Sequence, residues 1–499
     1  MEEQRKMKER LRPVMLAGTG SDVGKSVLAA ALCRIFLQDG FHPAPFKAQN
    51  MALNSYATPE GFEIGRAQAV QAEAAGIPCC TDMNPLLLKP SSDHTSQVVL
   101  NGKPIGNRNA YDYFRVEGRD ELRKEVHAAF DRLSARFNPI VMEGAGSISE
   151  INLQETDLVN MPMARYADAD VILVADIDRG GVFASAYGSI MLQKPEDRSR
   201  IKGIIVNKFR GDIRLFEKGV KMMEEICGVP VLGVVPYFKD IHIEEEDSLS
   251  LEYKHLQAEQ GKINVAVVLL RHVSNFTDFD RLEMDDRVHL FYTNNTEELQ
   301  KADIIIVPGS KSTLDDLYEL RRNGVAQAIV KARRAGKTVL GICGGYQILG
   351  REVQDPDGVE GSIRKLPGLG LLPISTSMTG EKVTRQVEFP FQDYGTLCRG
   401  YEIHMGETEL LEDAQPLVTF ADGHTDGCLV DAKCMGSYIH GILDNEAFID
   451  FLLKPYAEKL VHQEIDYQAY KEEQYNKLAD HLRQHINLPL LYQIMRGER

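Results

Sequence analysis

Three short stretches of this 499-residue chain carry side chains whose types and spacing can do chemistry. "GTGSDVGKS", Gly18 to Ser26, closes with the Gly24-Lys25-Ser26 of a phosphate-binding loop. In such a loop the backbone amides and the N-terminus of the following helix cradle phosphate oxygens, the lysine reaches the terminal phosphates, and the hydroxyl takes Mg²⁺. The strict spacing requires glycine where this chain has Thr19, and the glycines fall instead at Gly18 and Gly20. "VLGICGGYQILG" sets Cys343 on a tight turn among glycines, a nucleophile elbow whose small neighbours permit strained backbone angles. A thiol nucleophile needs a proton acceptor, and "GSYIHGILDN" supplies His440 at the end of another apolar run.

Side chains of this kind are held at the ends of buried parallel strands, and the chain has the pattern for them. "PVMLAG", "PIVMEGAG", "DVILVADID" and "IKGIIVNKF" are short apolar runs, rich in β-branched residues, alternating with helical stretches. A second series begins at "INVAVVLL" and continues through "ADIIIVPGS", "KTVLGICGGY" and "CMGSYIHGIL". The expected fold is α/β with two doubly wound domains, whose ligands sit at the carboxyl ends of the strands. Residues 1–237 and 263–456 form the two domains, the polar and acidic stretch 238–262 links them, and 457–499 is a helix-prone tail that closes the fold. Glu143, Asp176, Asp178 and Asn207 fall at predicted strand ends in the first domain. For Asp176 and Asp178, holding metal or substrate and serving as turn or cap residues stand side by side.

Composition narrows the partners. A formal net charge of −16 and the lack of a dense Lys/Arg run argue against nucleic acid. No apolar run reaches the length of a membrane span, and the charged start "MEEQRKMKERLRP" lacks a signal-peptide core. Eight cysteines without paired spacing suit free thiols in a reducing, cytoplasmic setting. Oligomeric state is left open.

"GTGSDVGKS" resembles the loop of the dethiobiotin synthetases, P-loop enzymes that activate carboxylates with ATP. The resemblance implies ATP-binding roles for Thr19, Gly20, Asp22, Val23, Gly24, Lys25 and Ser26, a second Mg²⁺ ligand at Glu143 in "VMEGAGS" beside Ser26, and base recognition by Asn207 in "IIVNKF". The Cys343 and His440 segments resemble the class I glutamine amidotransferases, a flavodoxin-like fold, in which cysteine attacks the glutamine amide and releases ammonia. In "IIIVPGSKST" that resemblance places oxyanion donors at Gly309 and Ser310, joined by Gly344 after the cysteine. The usual Glu two residues after the histidine is Ile442 here, as in the cobyric and cobyrinic acid synthase subgroup, so the acid that orients His440 is absent or supplied elsewhere. His404 in "GYEIHMG" is structural or touches substrate.

With "FKAQNMALNS", "EIGRAQAVQA", "MNPLLLKPSSDHTSQVVLNGKPIGN" and "INVAVVLLRHVSNFTDFD", the resemblance to the cobyric acid synthase family covers nearly the whole chain. It implies ATP- and glutamine-dependent amidation of the b, d, e and g carboxylates of adenosylcobyrinic acid a,c-diamide, with Mg²⁺, and places Lys47 and Gln49 near phosphate or carboxylate. Cobyrinic acid a,c-diamide synthase, a glutamine-dependent ligase for another acid, and a partitioning or scaffold ATPase are the alternatives. The last has no use for a glutaminase.

Overall fold

The computed structural model describes residues 10–90, 95–109, 119–238, 240–244, 255–392, 395–412, 414–456 and 466–499. Parts of the expected linker (239 and 245–254), the start of the expected tail (457–465), residues 1–9 and the "SSDH" stretch 91–94 lie outside the described residues. The first domain is built on six strands: β1 (Val14–Gly18), β2 (Ala44–Phe46), β3 (Ile140–Glu143), β4 (Asp170–Asp176), β5 (Ile201–Phe209) and β6 (Val231–Pro236). They pair in the order β6-β5-β4-β1-β3-β2, all parallel. β1 and β3 are buried at every residue, which is why they read as unbroken apolar runs rather than alternating ones. The order reverses around β1, so a crevice opens beyond the carboxyl ends of β1, β3 and β4.

The second domain repeats this plan with β7 (Ile263–Val268), β8 (Val288–Thr293), β9 (Ile304–Val307), β10 (Thr338–Ile342), β11 (Cys428–Asp431) and β12 (Cys434–Ser437). Their order is β8-β7-β9-β10-β12-β11, parallel except for the last pair. A long antiparallel hairpin, Ile374–Pro390 with Leu397–Leu410, lies against the first domain: Gln386 Nε2 donates to Ala57 O at 3.0 Å and Gln97 Nε2 contacts Met405 Sδ at 3.4 Å. The eight cysteines are all unpaired. Among the described residues no helix is long and apolar enough to cross a membrane.

Helix α1 (Lys25–Gln38) follows the phosphate loop, and α2 (Arg66–Ala74) packs beside it. In the second domain α3 (Gly344–Leu349) follows Cys343. The tail forms two helices, α4 (Tyr467–His485) and α5 (Leu488–Met495), rather than one. The break lies where Asn487 caps the second helix, its side chain accepting from Leu490 N at 3.0 Å, with Pro489 in the first turn. Both helices return to the first domain, where Leu478, Leu482, Leu491, Ile494 and Met495 share a core with β1 and α1. Leu491, 1% exposed, should cost about 2–5 kcal/mol when cut to alanine. A urea titration of the full chain is expected to show that loss as a lower unfolding midpoint at unchanged slope.

Candidate active sites

At the carboxyl end of β1 the loop folds back on itself. Lys25 Nζ donates to Gly20 O at 2.9 Å and Gly146 O at 3.1 Å, and burial pushes its pKa down to about 8. A Cβ on Gly18 would sit 2.6 Å from that same Nζ, so the glycine one place early is the one the lysine passes over. Thr19, in the usual glycine position, is held by its backbone: its N–H donates to Val174 O at 3.0 Å, and its carbonyl accepts from Ser147 Oγ at 2.9 Å. Asp22 takes a left-handed φ of 53°, and the Val23 carbonyl accepts from Asn207 Nδ2 at 2.8 Å, which ties the end of β5 to the loop just before Gly24.

Glu143 is the centre of this site. Its buried carboxylate accepts from Ser26 Oγ at 2.8 Å, Lys47 Nζ at 2.7 Å and Gln71 Nε2 at 2.7 Å. Burial opposes its charge, but Lys47 and the three hydrogen bonds hold its pKa below the usual carboxylate value. Ser26 Oγ and Glu143 are hard oxygen donors, and Gln71 Oε1 beside them is a buried oxygen without a hydrogen-bond partner, a set that suits Mg²⁺. Gln71 was not singled out from sequence, because one glutamine in "AQAVQAEAA" differs from its neighbours only in three dimensions. Gln49 lies two residues beyond Lys47 on the short strand Gln49–Met51. Asp176 accepts from Asp178 N at 2.7 Å in a turn and lies 3.3 Å from Lys208 Nζ, while Asp178 forms an ion pair with Arg210 at 2.7 Å. Asp178 thus forms an exposed pair, whereas Asp176 stays buried at the end of β4.

The second site gathers at the carboxyl ends of β7, β9, β10 and β12. Cys343 has φ 50° and ψ −111°, a strained backbone for a residue with a Cβ, and its N–H donates to Ser437 O at 2.8 Å. A Cβ on Gly344 would lie 2.7 Å from Ser310 N, so the Gly309–Ser310 backbone and the start of α3 converge as an oxyanion cradle requires. His440 Nδ1 lies 2.7 Å from Asp278 Oδ2, which leaves Nε2 outside that pair; the Cys343 thiol donates to Ile403 O at 3.5 Å, and both side chains line one cavity. Burial opposes a charge on His440, but Asp278 and Cys343 outweigh it and raise the pKa to about 10.

Asp278 supplies the acid that Ile442 does not. It precedes His440 by 162 residues, and its other oxygen accepts from Gly441 N at 3.0 Å. The departure at Ile442 signalled that an acid was needed; nothing in the sequence ranked Asp278 above the other carboxylates. His404 stacks on Tyr438 with ring centroids 3.7 Å apart, and burial lowers its pKa to about 4, so it faces the cavity beside Cys343 as a neutral ring.

Residues 14–251 match the CobQ/CobB/MinD/ParA nucleotide binding domain, and residues 264–448 match the CobB/CobQ-like glutamine amidotransferase domain. The chain is 76% identical to a cobyric acid synthase of Phocaeicola vulgatus across 98% of this chain and 100% of that protein. It is 74% identical to a cobyric acid synthase of Bacteroides fragilis (98% and 99% covered) and 58% identical to one of Parabacteroides distasonis (97% and 99% covered). The chain belongs to the cobyric acid synthase family. In this member of the family, the domains meet through the segment around Asn54, Ser55 and Glu63 of the first and through Asn275 and the long hairpin of the second.

Asp278→Asn tests the Asp278–His440 pair. The folded pKa of His440 lies above the free value of about 6.5, so the stability this pairing adds is fully present below that pH and is lost as pH rises through about 10. Without Asp278 the imidazolium loses its proton at lower pH. Glutamine-dependent turnover should fall on the order of 10²–10⁴-fold, and the alkaline limb of its pH profile should move to lower pH. Initial rates across a pH series check both.

Proposed function

We propose that this chain amidates the b, d, e and g carboxylates of adenosylcobyrinic acid a,c-diamide, using ATP and glutamine. The observation that carries this reading is the joining, in one chain similar along its length to cobyric acid synthases, of a phosphate loop facing Glu143 with a Cys343–His440–Asp278 array.

A carboxylate resists attack by an amine because its negative charge is delocalised. Transfer of the terminal phosphoryl group of ATP to the carboxylate oxygen releases ADP and leaves an acyl phosphate with phosphate as leaving group. Lys25 swings from the loop carbonyls to the transferring group, and the amides after Gly20 bind its oxygens. Ser26 and Glu143 would hold Mg²⁺, which neutralises charge on the phosphates when bound. Lys47, whose pairing with Glu143 puts it beside the metal ligands of this reading, would meet either phosphate or the substrate carboxylate.

In the second domain the Cys343 thiolate attacks the glutamine carboxamide carbon, the oxyanion settles on the amides of Ser310 and Gly344, and His440 gives its proton to the departing ammonia. Water then cleaves the thioester and releases glutamate. Ammonia crosses to the acyl phosphate, forms the amide and displaces phosphate.

Cys343→Ala should abolish glutamine-driven amidation and spare amidation with added ammonium, since only the nitrogen source is lost. Failure of ammonium to rescue would count against that role. Lys25→Ala should remove both activities, and retained ammonium-driven product would refute the assignment of the loop. With the a,c-diamide, glutamine, ATP and Mg²⁺, mass spectrometry should follow successive replacement of four hydroxyls by amino groups. Product only from cobyrinic acid itself would favour the a,c-diamide synthase.

A further inference from the structure

The cavity beside Cys343 holds charges that the reaction described above does not use. Lys311 and Glu360 both line it, together with Lys382 and with Lys89 from the first domain. Lys89 and Lys382 share the carboxylate of Glu63. Lys311 and Glu360 have no such match: among the described residues neither forms an ion pair, with each other or with another residue. Lys311 Nζ donates to the neutral Gln97 Oε1 at 3.2 Å, and the Glu360 carboxylate accepts from Thr313 N at 2.7 Å. Both side chains are half-buried yet densely surrounded by protein. Burial lowers the pKa of Lys311 and raises that of Glu360 to about 7, although each of the two charges favours the other.

Their positions are fixed relative to the nucleophile. Lys311 directly follows the Gly309–Ser310 strand whose backbone meets Gly344. Glu360 is tied through Thr313, whose Oγ1 donates to Gln347 Oε1 at 2.9 Å, to the helix that begins after Cys343. One cation and one anion, apart from each other and opening on the space beside a thiol, match the two charges of an α-amino acid.

We propose that Lys311 and Glu360 are the subsite for the α-amino-acid end of free glutamine, Lys311 pairing with its α-carboxylate and Glu360 with its α-ammonium. The inference rests on the reading of Cys343 as a glutaminase nucleophile. It assigns specificity: a glutamine within a peptide chain lacks both charges and leaves two groups unpaired. The free space, about 40 Å³, suffices for water but not for glutamine. The unbranched Met405 side chain lines the same space and can change rotamer to admit the larger molecule.

The test uses the full chain with corrinoid, ATP and Mg²⁺, and three amides: L-glutamine, glutaramate, which lacks the α-ammonium, and 4-aminobutanamide, which lacks the α-carboxylate. Lys311→Met should raise the KM for glutamine on the order of 10²-fold and leave turnover of 4-aminobutanamide unchanged. Glu360→Gln should do the same with glutaramate as the indifferent amide. Lys311→Arg, which keeps the charge, should restore most of the affinity. An unchanged KM, equal losses on all three amides, no rescue by arginine, or a parallel fall in ammonium-driven amidation would each overturn the proposal. Cys343→Ala assayed alongside separates the two readings. Glutamine turnover that survives in it refutes the glutaminase, whereas turnover that needs Cys343 but ignores Lys311 and Glu360 refutes the subsite alone.

Discussion

The buried carboxylate of Glu63 governs how the halves of this protein meet. It lies between Lys89 of its own domain, at 2.7 Å, and Lys382 of the long hairpin in the other, and it is fully shielded from water. Burial alone would neutralise it, but two ammonium groups hold it ionised. An ion in that position is tolerable only while both partners are present, and one of them arrives only when the domains dock. Docking brings Asn54 and Ser55 onto Asn275 and Phe276, just before Asp278, with backbone-to-amide hydrogen bonds of 3.2 Å. The seam between the domains and the orientation of the His440 acid are therefore parts of one arrangement.

Helix α2 spans the distance between the two chemistries. At its start Arg66 lies over the Tyr56 ring, which packs edge-on against Tyr401, and Tyr401 stacks on His440. Little more than one turn later Gln71 bonds to Glu143 and to the Ser26 carbonyl. Nine residues make a rod of about 13 Å. One short helix thus touches Glu143 directly and reaches His440 through two intervening tyrosine rings.

What could be read from the chain was local. Buried parallel strands announce themselves as β-branched apolar runs, so the two doubly wound sheets were legible, and the lysine and serine after Gly24 marked a phosphate loop whatever the register of its glycines. The register itself made sense only once Lys25 was seen lying over Gly18. Asp278, Gln71 and the pairing of Glu63 with Lys382 were not legible, because each depends on segments 45 to 319 residues apart that carry no periodic pattern. Isolated Asp, Gln and Lys residues are abundant on any surface, and burial, which makes these matter, is a property of the assembled fold. The break in the tail at Asn487 follows an ordinary capping rule, but a helix-prone composition concealed it.

The return of α4 and α5 to the first sheet has a further consequence, for biosynthesis. The face of α1 that they cover is made of Ala, Leu and Phe side chains encoded early in the chain. During translation that face stays uncovered until residues 467–495 have left the ribosome, by which time the whole second domain has been made. The first half of the protein is thus completed last, and a chain cut short anywhere in the second half exposes a sticky surface in the first, a form suited to recognition by chaperones and proteases rather than to partial activity.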